Sequence, residues 1–143
     1  MFRIELMDWE RARTVAGPIR YGIFFSEKDA PPGIELDEQD KDCVHAIAYT
    51  GDAKAVGTAR LLPDGHIGRM AVVEEWRRLG VAAALLDALT EEARRRGHKE
   101  VMLSVPLQAA DFYRSHGFNA EGKVFEEGGI LYENMRKGLQ GSA

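Results

Sequence analysis

Arg77-Arg78-Leu79-Gly80-Val81-Ala82 decides how this chain is read, because of what stands on either side of it. Before it runs His66-Ile67-Gly68-Arg69-Met70-Ala71-Val72-Val73, an apolar strand-like segment opened by an Asp64-Gly65 turn. After it, Ala82 to Arg96 carries Leu85, Leu86 and Leu89 at helical spacing. A glycine-containing loop therefore feeds a helix N-terminus, where unpaired backbone N–H groups and the positive end of the helix dipole can converge on one anion. Gly80 lets the backbone approach that anion, and Ala82 and Ala83 keep the first turn free of bulk. The guanidinium groups of Arg77 and Arg78 add charge suited to phosphate. The pattern predicts a diphosphate cradle.

Two familiar cradles are excluded. A Walker A loop needs Gly, four residues and then Gly-Lys-Ser/Thr, which occurs nowhere here. A dinucleotide fingerprint needs three glycines in G-x-G-x-x-G, and this loop has only Gly80. What remains is Arg77-x-x-Gly80-x-Ala82. Downstream stands Gln108-Ala109-Ala110-Asp111-Phe112-Tyr113-Arg114-Ser115-His116-Gly117-Phe118, opened by Pro106 and ended by a glycine suited to a left-handed C-cap. Upstream stand Glu27, Glu35-x-Asp37-x-x-Asp40 and His45, then Gly57-Thr58-Ala59-Arg60-Leu61. The chain closes with Phe125-Glu126-Glu127-x-Gly129-Ile130 through Met135. In type, spacing and order these segments resemble the GNAT superfamily of N-acetyltransferases, in its ElaA/YjcF-like branch, from about Ile19 to Lys137.

Bulk properties agree. The 143 residues predict a single domain spanning 1–143, long enough to bury roughly two-thirds of its unfolded surface. Apolar content of 45% and charged content of 29% fit neither a disordered chain nor a membrane protein. No apolar run approaches the roughly 20 residues of a spanning helix, and Met1-Phe2-Arg3-Ile4-Glu5 lacks a signal-peptide core, which predicts a cytoplasmic location. A net charge of −4 argues against a general nucleic-acid surface. Arg94-Arg95-Arg96 reads as a solvated helix end whose cations complement the dipole. The single cysteine, Cys43, excludes an internal disulfide and reads as a buried small hydrophobe.

Along the chain the pattern predicts a strand over Phe2 to Met7, a helix capped by Asp8 and extending to about Phe25 with a kink or restart at Gly17-Pro18, and a loop from Asp29 to Asp42. Strands follow over Cys43 to Thr50, Ala55 to Leu62 and His66 to Val73. A helix over about Leu79 to Arg96 leads to a strand over Glu100 to Val105, a short helix over Leu107 to His116, and strands over Phe118 to Phe125 and Ile130 to Met135. The fold class is α/β (α+β). It comprises a mixed, mostly antiparallel twisted sheet of about six to seven strands, flanked by helices, with a β-α-β crossover between neighbouring parallel strands.

The resemblance implies the chemistry. The central strand pair would splay between the strand ending at Val73 and the one beginning near Val101. Pantetheine of acetyl-CoA would lie in the gap, pairing with Ala71, Val72 and Val73 as an added strand would. A backbone N–H there would meet the developing oxyanion. Diphosphate would rest on the N–H groups of Arg78, Leu79, Gly80, Val81, Ala82 and Ala83. Tyr113 would protonate the departing thiolate. The implied acceptor is a small-molecule or peptide amine; neither metal nor nucleic acid nor membrane is implied. No residue pattern fixes the oligomeric state, and a homodimer is one compatible assembly.

Two departures matter. Many family members place a glutamate on the strand leading into the loop, where this chain has Arg69 and Met70; Glu74 and Glu75 come later. A water chain to Glu27, Glu35, Asp37, His45 or His66 would have to serve as base instead. Ile130-Leu131-Tyr132 stands where the branch often has Ile-Pro-His. The acidic run Glu35 to Asp40 reads either as an attractor for a cationic amine or as solvated and capping carboxylates. An acyl-CoA-binding sensor or a ligand-free interaction module on the same fold are the alternatives to an enzyme.

Overall fold

The computed structural model describes residues 2–25 and 37–139; the expected positions Glu27 and Glu35 lie outside them. Strand β1 (Phe2–Met7) ends at Asp8, whose side chain accepts the Arg11 N–H at 3.1 Å and caps helix α1 (Trp9–Arg20). The helix does not restart at Gly17-Pro18: α1 runs through both residues. Pro18 and Thr14 both face solvent, so the carbonyl that loses a helical partner to the proline ring can be hydrated. The helix instead widens into a π-helical turn, Tyr21–Phe25, with the Tyr21 N–H shared between the Gly17 and Pro18 carbonyls. The end of the expected loop is also ordered: Asp37 caps a 3-10 turn, Glu38–Asp42.

Strands β2 (Val44–Thr50), β3 (Ala55–Leu61) and β4 (Ile67–Val72) join β1 in an antiparallel sheet of order β1-β2-β3-β4. Helix α2 (Val81–Arg95) then crosses to β5 (Glu100–Pro106), and short helix α3 (Ala110–Ser115) precedes β6 (Asn119–Glu127) and β7 (Ile130–Gly138). The last three strands form a second antiparallel sheet of order β5-β7-β6. The seven strands and flanking helices fit the expected class, and the splay is wide enough to divide the ladder in two. One parallel bridge, His66 to Met102, with the Met102 N–H on the Gly65 carbonyl at 3.1 Å, joins the halves.

The apolar face of α2 sets the core. Val81, Leu85, Leu86, Leu89 and Ala93 pack over Ala46, Ala48, Ala59 and Leu61 of one sheet and Val101, Leu103 and Met135 of the other. Gly57 of β3 lies so close beneath this helix that a β-carbon would stand 2.9 Å from Val81 Cγ1. On the opposite face, Ala12 and Ala16 of α1 pack on Ile47, while Ile19 and Ile23 pack on Ala71. The site therefore lies between two sheets held together chiefly by one helix.

Candidate active site

Strand β4 carries the geometry that matters. Thr58 of β3 faces Ala71 and Arg60 faces Gly68, so two residues, Arg69 and Met70, stand against Ala59 alone. This is a β-bulge, and its first residue, Arg69, has φ of +50°. Beyond the bulge the Val73 N–H donates to the Val56 carbonyl at 2.9 Å, so strand alternation turns the main chain of Val72 away from β3 toward the gap before β5. Of the three residues expected along that gap, Ala71 and Val73 are thus engaged with β3, and Val72 alone presents its edge outward. Its carbonyl already accepts Arg77 Nε at 2.8 Å. Arg77 is thereby tied through Nε to the end of β4.

The loop after β4 runs through a 3-10 turn, Glu74–Trp76, then Arg78 with φ of +63° and Gly80 with φ of +89°. Gly80 is the N-cap of α2 and has no side chain with which to cap it. The first helical bond is Ala84 N–H to Gly80 carbonyl at 3.0 Å, so the N–H groups of Val81, Ala82 and Ala83 emerge from the helix end. A β-carbon at Gly80 would meet no atom within 4 Å. N–H groups without a helical partner and open space beside Gly80 stand together at this helix end.

Between β4 and β5 lies a cleft of about 440 Å³, lined by Ile67 through Met70, Leu103 through Pro106, Gln108, Ala109, Tyr113 and Tyr132. Tyr113 enters from α3, which ends in a Schellman motif: Phe118 N–H reaches the Tyr113 carbonyl at 3.1 Å and Gly117 N–H reaches Arg114 at 3.0 Å. Gly117, at φ of +93°, supplies the left-handed residue this needs. The Tyr113 ring meets the edges of Phe112 and Phe118, and its hydroxyl lies 3.9 Å from Met70 Sδ. Burial pushes the Tyr113 phenol above its ordinary range, which keeps it protonated. Tyr132, stacked on Phe125, is a cleft residue the sequence signalled only through the Ile130-Leu131-Tyr132 departure; Gln108 entered only as the first residue of the Gln108 to Phe118 segment, and Ser104 gave no signal.

On the α1 face of the sheet the acidic residues form a structural network. Asp40 is wholly buried, accepting Arg20 Nη1 at 2.7 Å and Arg60 Nη1 at 2.9 Å. Asp37 Oδ1 takes the Gln39 N–H at 2.7 Å, while Oδ2 takes Arg69 Nη2 at 3.0 Å and Arg60 Nη2 at 3.3 Å. The Asp37 N–H in turn reaches Asp40 Oδ2 at 3.1 Å, completing a capping box. The Gln39 N–H, helped by Arg69 and Arg60 against burial, holds the Asp37 carboxyl down to about 2. Burial opposes the charge on Asp40, but Arg20 and Arg60 outweigh it and keep its pKa low.

Most base candidates fall away in this setting. Asp37 and Asp40 are engaged carboxylates of low pKa. His45 is fully buried, with burial lowering its pKa, and its Nε2 donates to the Asp40 carbonyl at 2.8 Å. His66 lies at the closed end of the splay beside Asp64, 3.0 Å away, and Glu74 and Glu75 are exposed on the loop. Among the described residues lining the cleft there is no carboxylate and no imidazole.

Two other readings hold. Arg94, Arg95 and Arg96 pair with Glu91 and Glu92 at the exposed helix end. Cys43 is buried, donates its thiol to the Gln39 carbonyl at 3.1 Å, and has its pKa pushed up to about 11, first by burial. A chromogenic disulfide reagent at pH 8 should leave Cys43 unlabelled in the native protein and label it stoichiometrically in denaturant; prompt native labelling would contradict the burial.

The family profile described as an acetyltransferase (GNAT) domain matches residues 33–139. This chain belongs to the GNAT family. Within it, the GNAT chain is 33% identical over 140 residues to a provisionally named acetyltransferase of Bacillus subtilis, covering 94% of this chain and 95% of that one. It is 31% identical over 123 residues to the N-acetyltransferase YjcF of Bacillus subtilis, covering 83% and 87%. Its fold matches the crystal structure of Escherichia coli ElaA with a TM-score of 0.82 and 25% identity over 96% of this chain and 99% of that one. These likenesses put the GNAT chain in the ElaA/YjcF-like branch.

Proposed function

We propose that the chain is a single-domain cytoplasmic enzyme that transfers the acetyl group of acetyl-CoA to a primary amine by direct attack in a ternary complex. The observation that carries this reading is the succession of two sets of main-chain groups: the outward edge of β4 at Val72 and, past the Glu74–Trp76 turn, the uncapped N-terminus of α2. The Val72 N–H pairs with pantetheine, flanked by Ala71 and Val73, and the N–H groups from Arg78 to Ala83 receive the diphosphate. In this reading the Met70 N–H, which follows the left-handed Arg69 at the bulge, is the donor to the thioester carbonyl, where charge develops.

Chemistry then needs few side chains. The amine nitrogen attacks the thioester carbon, the oxyanion rests on the main-chain donor, and the carbon–sulfur bond breaks. Tyr113 gives its proton to the thiolate, and the proton lost by the amine leaves through water. The absence of a carboxylate among the described lining residues fits an amine that arrives neutral or loses its proton to solvent.

The test is release of free thiol from acetyl-CoA with polyamines, aminoglycosides, amino acids and peptide N-termini offered as acceptors. Release with one class establishes the enzyme, whereas tight acetyl-CoA binding without release from any class would make the protein a sensor. Gly80→Asp should weaken acetyl-CoA binding at least tenfold, about 1.4 kcal/mol, by setting a carboxylate into the open space at φ of +89°. Gly80→Ala carries the backbone strain without the charge and should lose less. Unchanged titration of the folded Asp variant would remove the cradle from this loop.

A further inference from the structure

Left-handed backbone at a residue other than glycine is uncommon, and when found beside a cleft it needs something to hold it. Arg69 adopts φ of +50° at the bulge that borders the cleft. Its guanidinium is tied to Asp37 Oδ2 at 3.0 Å. That same oxygen also accepts Arg60, which stands opposite Gly68 next to the bulge, so one carboxylate grips both strands where they fall out of register. Asp37 is itself held at two further points: its N–H is bonded to the buried Asp40, and its other oxygen caps the 3-10 turn. A chain of polar contacts thus runs from α1 through Asp40 and Asp37 to the bulge.

We infer that Asp37 is a positioning residue for the thioester, holding Arg69 in its left-handed conformation and so fixing the direction of the Met70 N–H. This rests on the proposed placement of the thioester carbonyl at the bulge. Asp37 touches no reacting atom, and its carboxylate, occupied by two arginines and a backbone N–H, is not a base.

Glycine provides a test, because it adopts positive φ without help. Isotope-edited infrared difference spectra of [1-13C]acetyl-CoA bound to the protein report how strongly its carbonyl is polarised, and no acceptor is needed. Titration calorimetry of the same samples gives affinity. With wild type, the bound carbonyl should absorb at lower frequency than free acetyl-CoA. Asp37→Asn should abolish about half of that displacement or more while affinity changes less than about threefold, since the diphosphate contacts are untouched. Adding Arg69→Gly to Asp37→Asn should restore most of the displacement. Should Asp37→Asn fail to fold, the pair Arg69→Leu and Arg69→Gly asks the same question with Asp37 still held by Arg60. Leu should lose the displacement and Gly should retain the greater part. An unchanged spectrum in Asp37→Asn, absence of rescue by Gly, or equal spectra for Leu and Gly would overturn the inference alone. Failure of wild type to bind acetyl-CoA would overturn the reading of the cleft together with it.

Discussion

Tyr113→Phe should cut turnover by roughly a hundredfold or more, the usual scale of general acid catalysis, with little change in acetyl-CoA affinity. The ring environment explains why the comparison is clean. Phe112 and Phe118 hold the Tyr113 ring edge-on, and the Schellman turn at Gly117 fixes the backbone beneath it, so phenylalanine keeps the packing. Only the hydroxyl goes, and its polar neighbour among the described residues is the weakly accepting Met70 sulfur at 3.9 Å. Burial raises the phenol's pKa, so the proton-bearing form persists beyond the ordinary tyrosine range, and activity that depends on it falls only as pH rises through that elevated value. Steady-state turnover and calorimetric affinity, measured together, decide the role. Parallel loss of both would make Tyr113 a cofactor contact, and full activity would leave thiolate departure to water.

The second large effect is on stability. Asp40→Ala removes the carboxylate shared by Arg20 and Arg60, both buried, and should destabilise the fold by about 3–5 kcal/mol, because breaking a buried pair strands its charged partner. Thermal unfolding should shift down by on the order of 10 °C or more. The native pKa values of Asp40 and Asp37 lie below their unfolded value of 3.8, about 2 for Asp37. Their contribution is therefore complete above that unfolded value and is lost as pH falls through the native ones. Wild type should lose stability steeply between about pH 4 and 2, and Asp40→Ala should show a shallower acid limb. Equal acid limbs in denaturant titrations would show that the network does not set acid stability.

Local chemistry made much of this readable. The Asp8 cap, the Asp64-Gly65 turn, the leucine spacing of α2 and the Gly117 terminator are signals within a few residues, and each marks an element boundary to within a residue or two. The loop from Arg77 to Ala82 was legible because a glycine before an uncapped helix is itself a local pattern. The arginine–aspartate network was not, since Arg20, Asp40 and Arg60 meet only after three elements have packed. A hint was present: Arg20 ends a buried helix face and Arg60 interrupts a small, apolar strand, and charge at such positions asks for a partner. The bulge at Arg69 was hidden more deeply, because arginine has no preference for positive φ and tertiary contacts impose it. Pro18 misled in the opposite sense: its cost depends on which side of the helix faces water, which the one-dimensional pattern leaves open.

The division of the sheet has a consequence for how the protein survives at high concentration. A bare strand edge is a template on which another chain can polymerise, and this molecule has four sheet edges among its described residues. The outer two are blunted in familiar ways. β1 offers Arg3 and Glu5, while β6 carries Glu121, Lys123, Glu126 and Glu127 and is broken by a register shift near Gly122. The inner two, β4 and β5, are protected by confinement. They face each other across a wedge closed at His66 and Met102. In the proposed reading, the opening that takes a narrow ligand is also what sets these two strand edges against each other instead of against a neighbouring molecule.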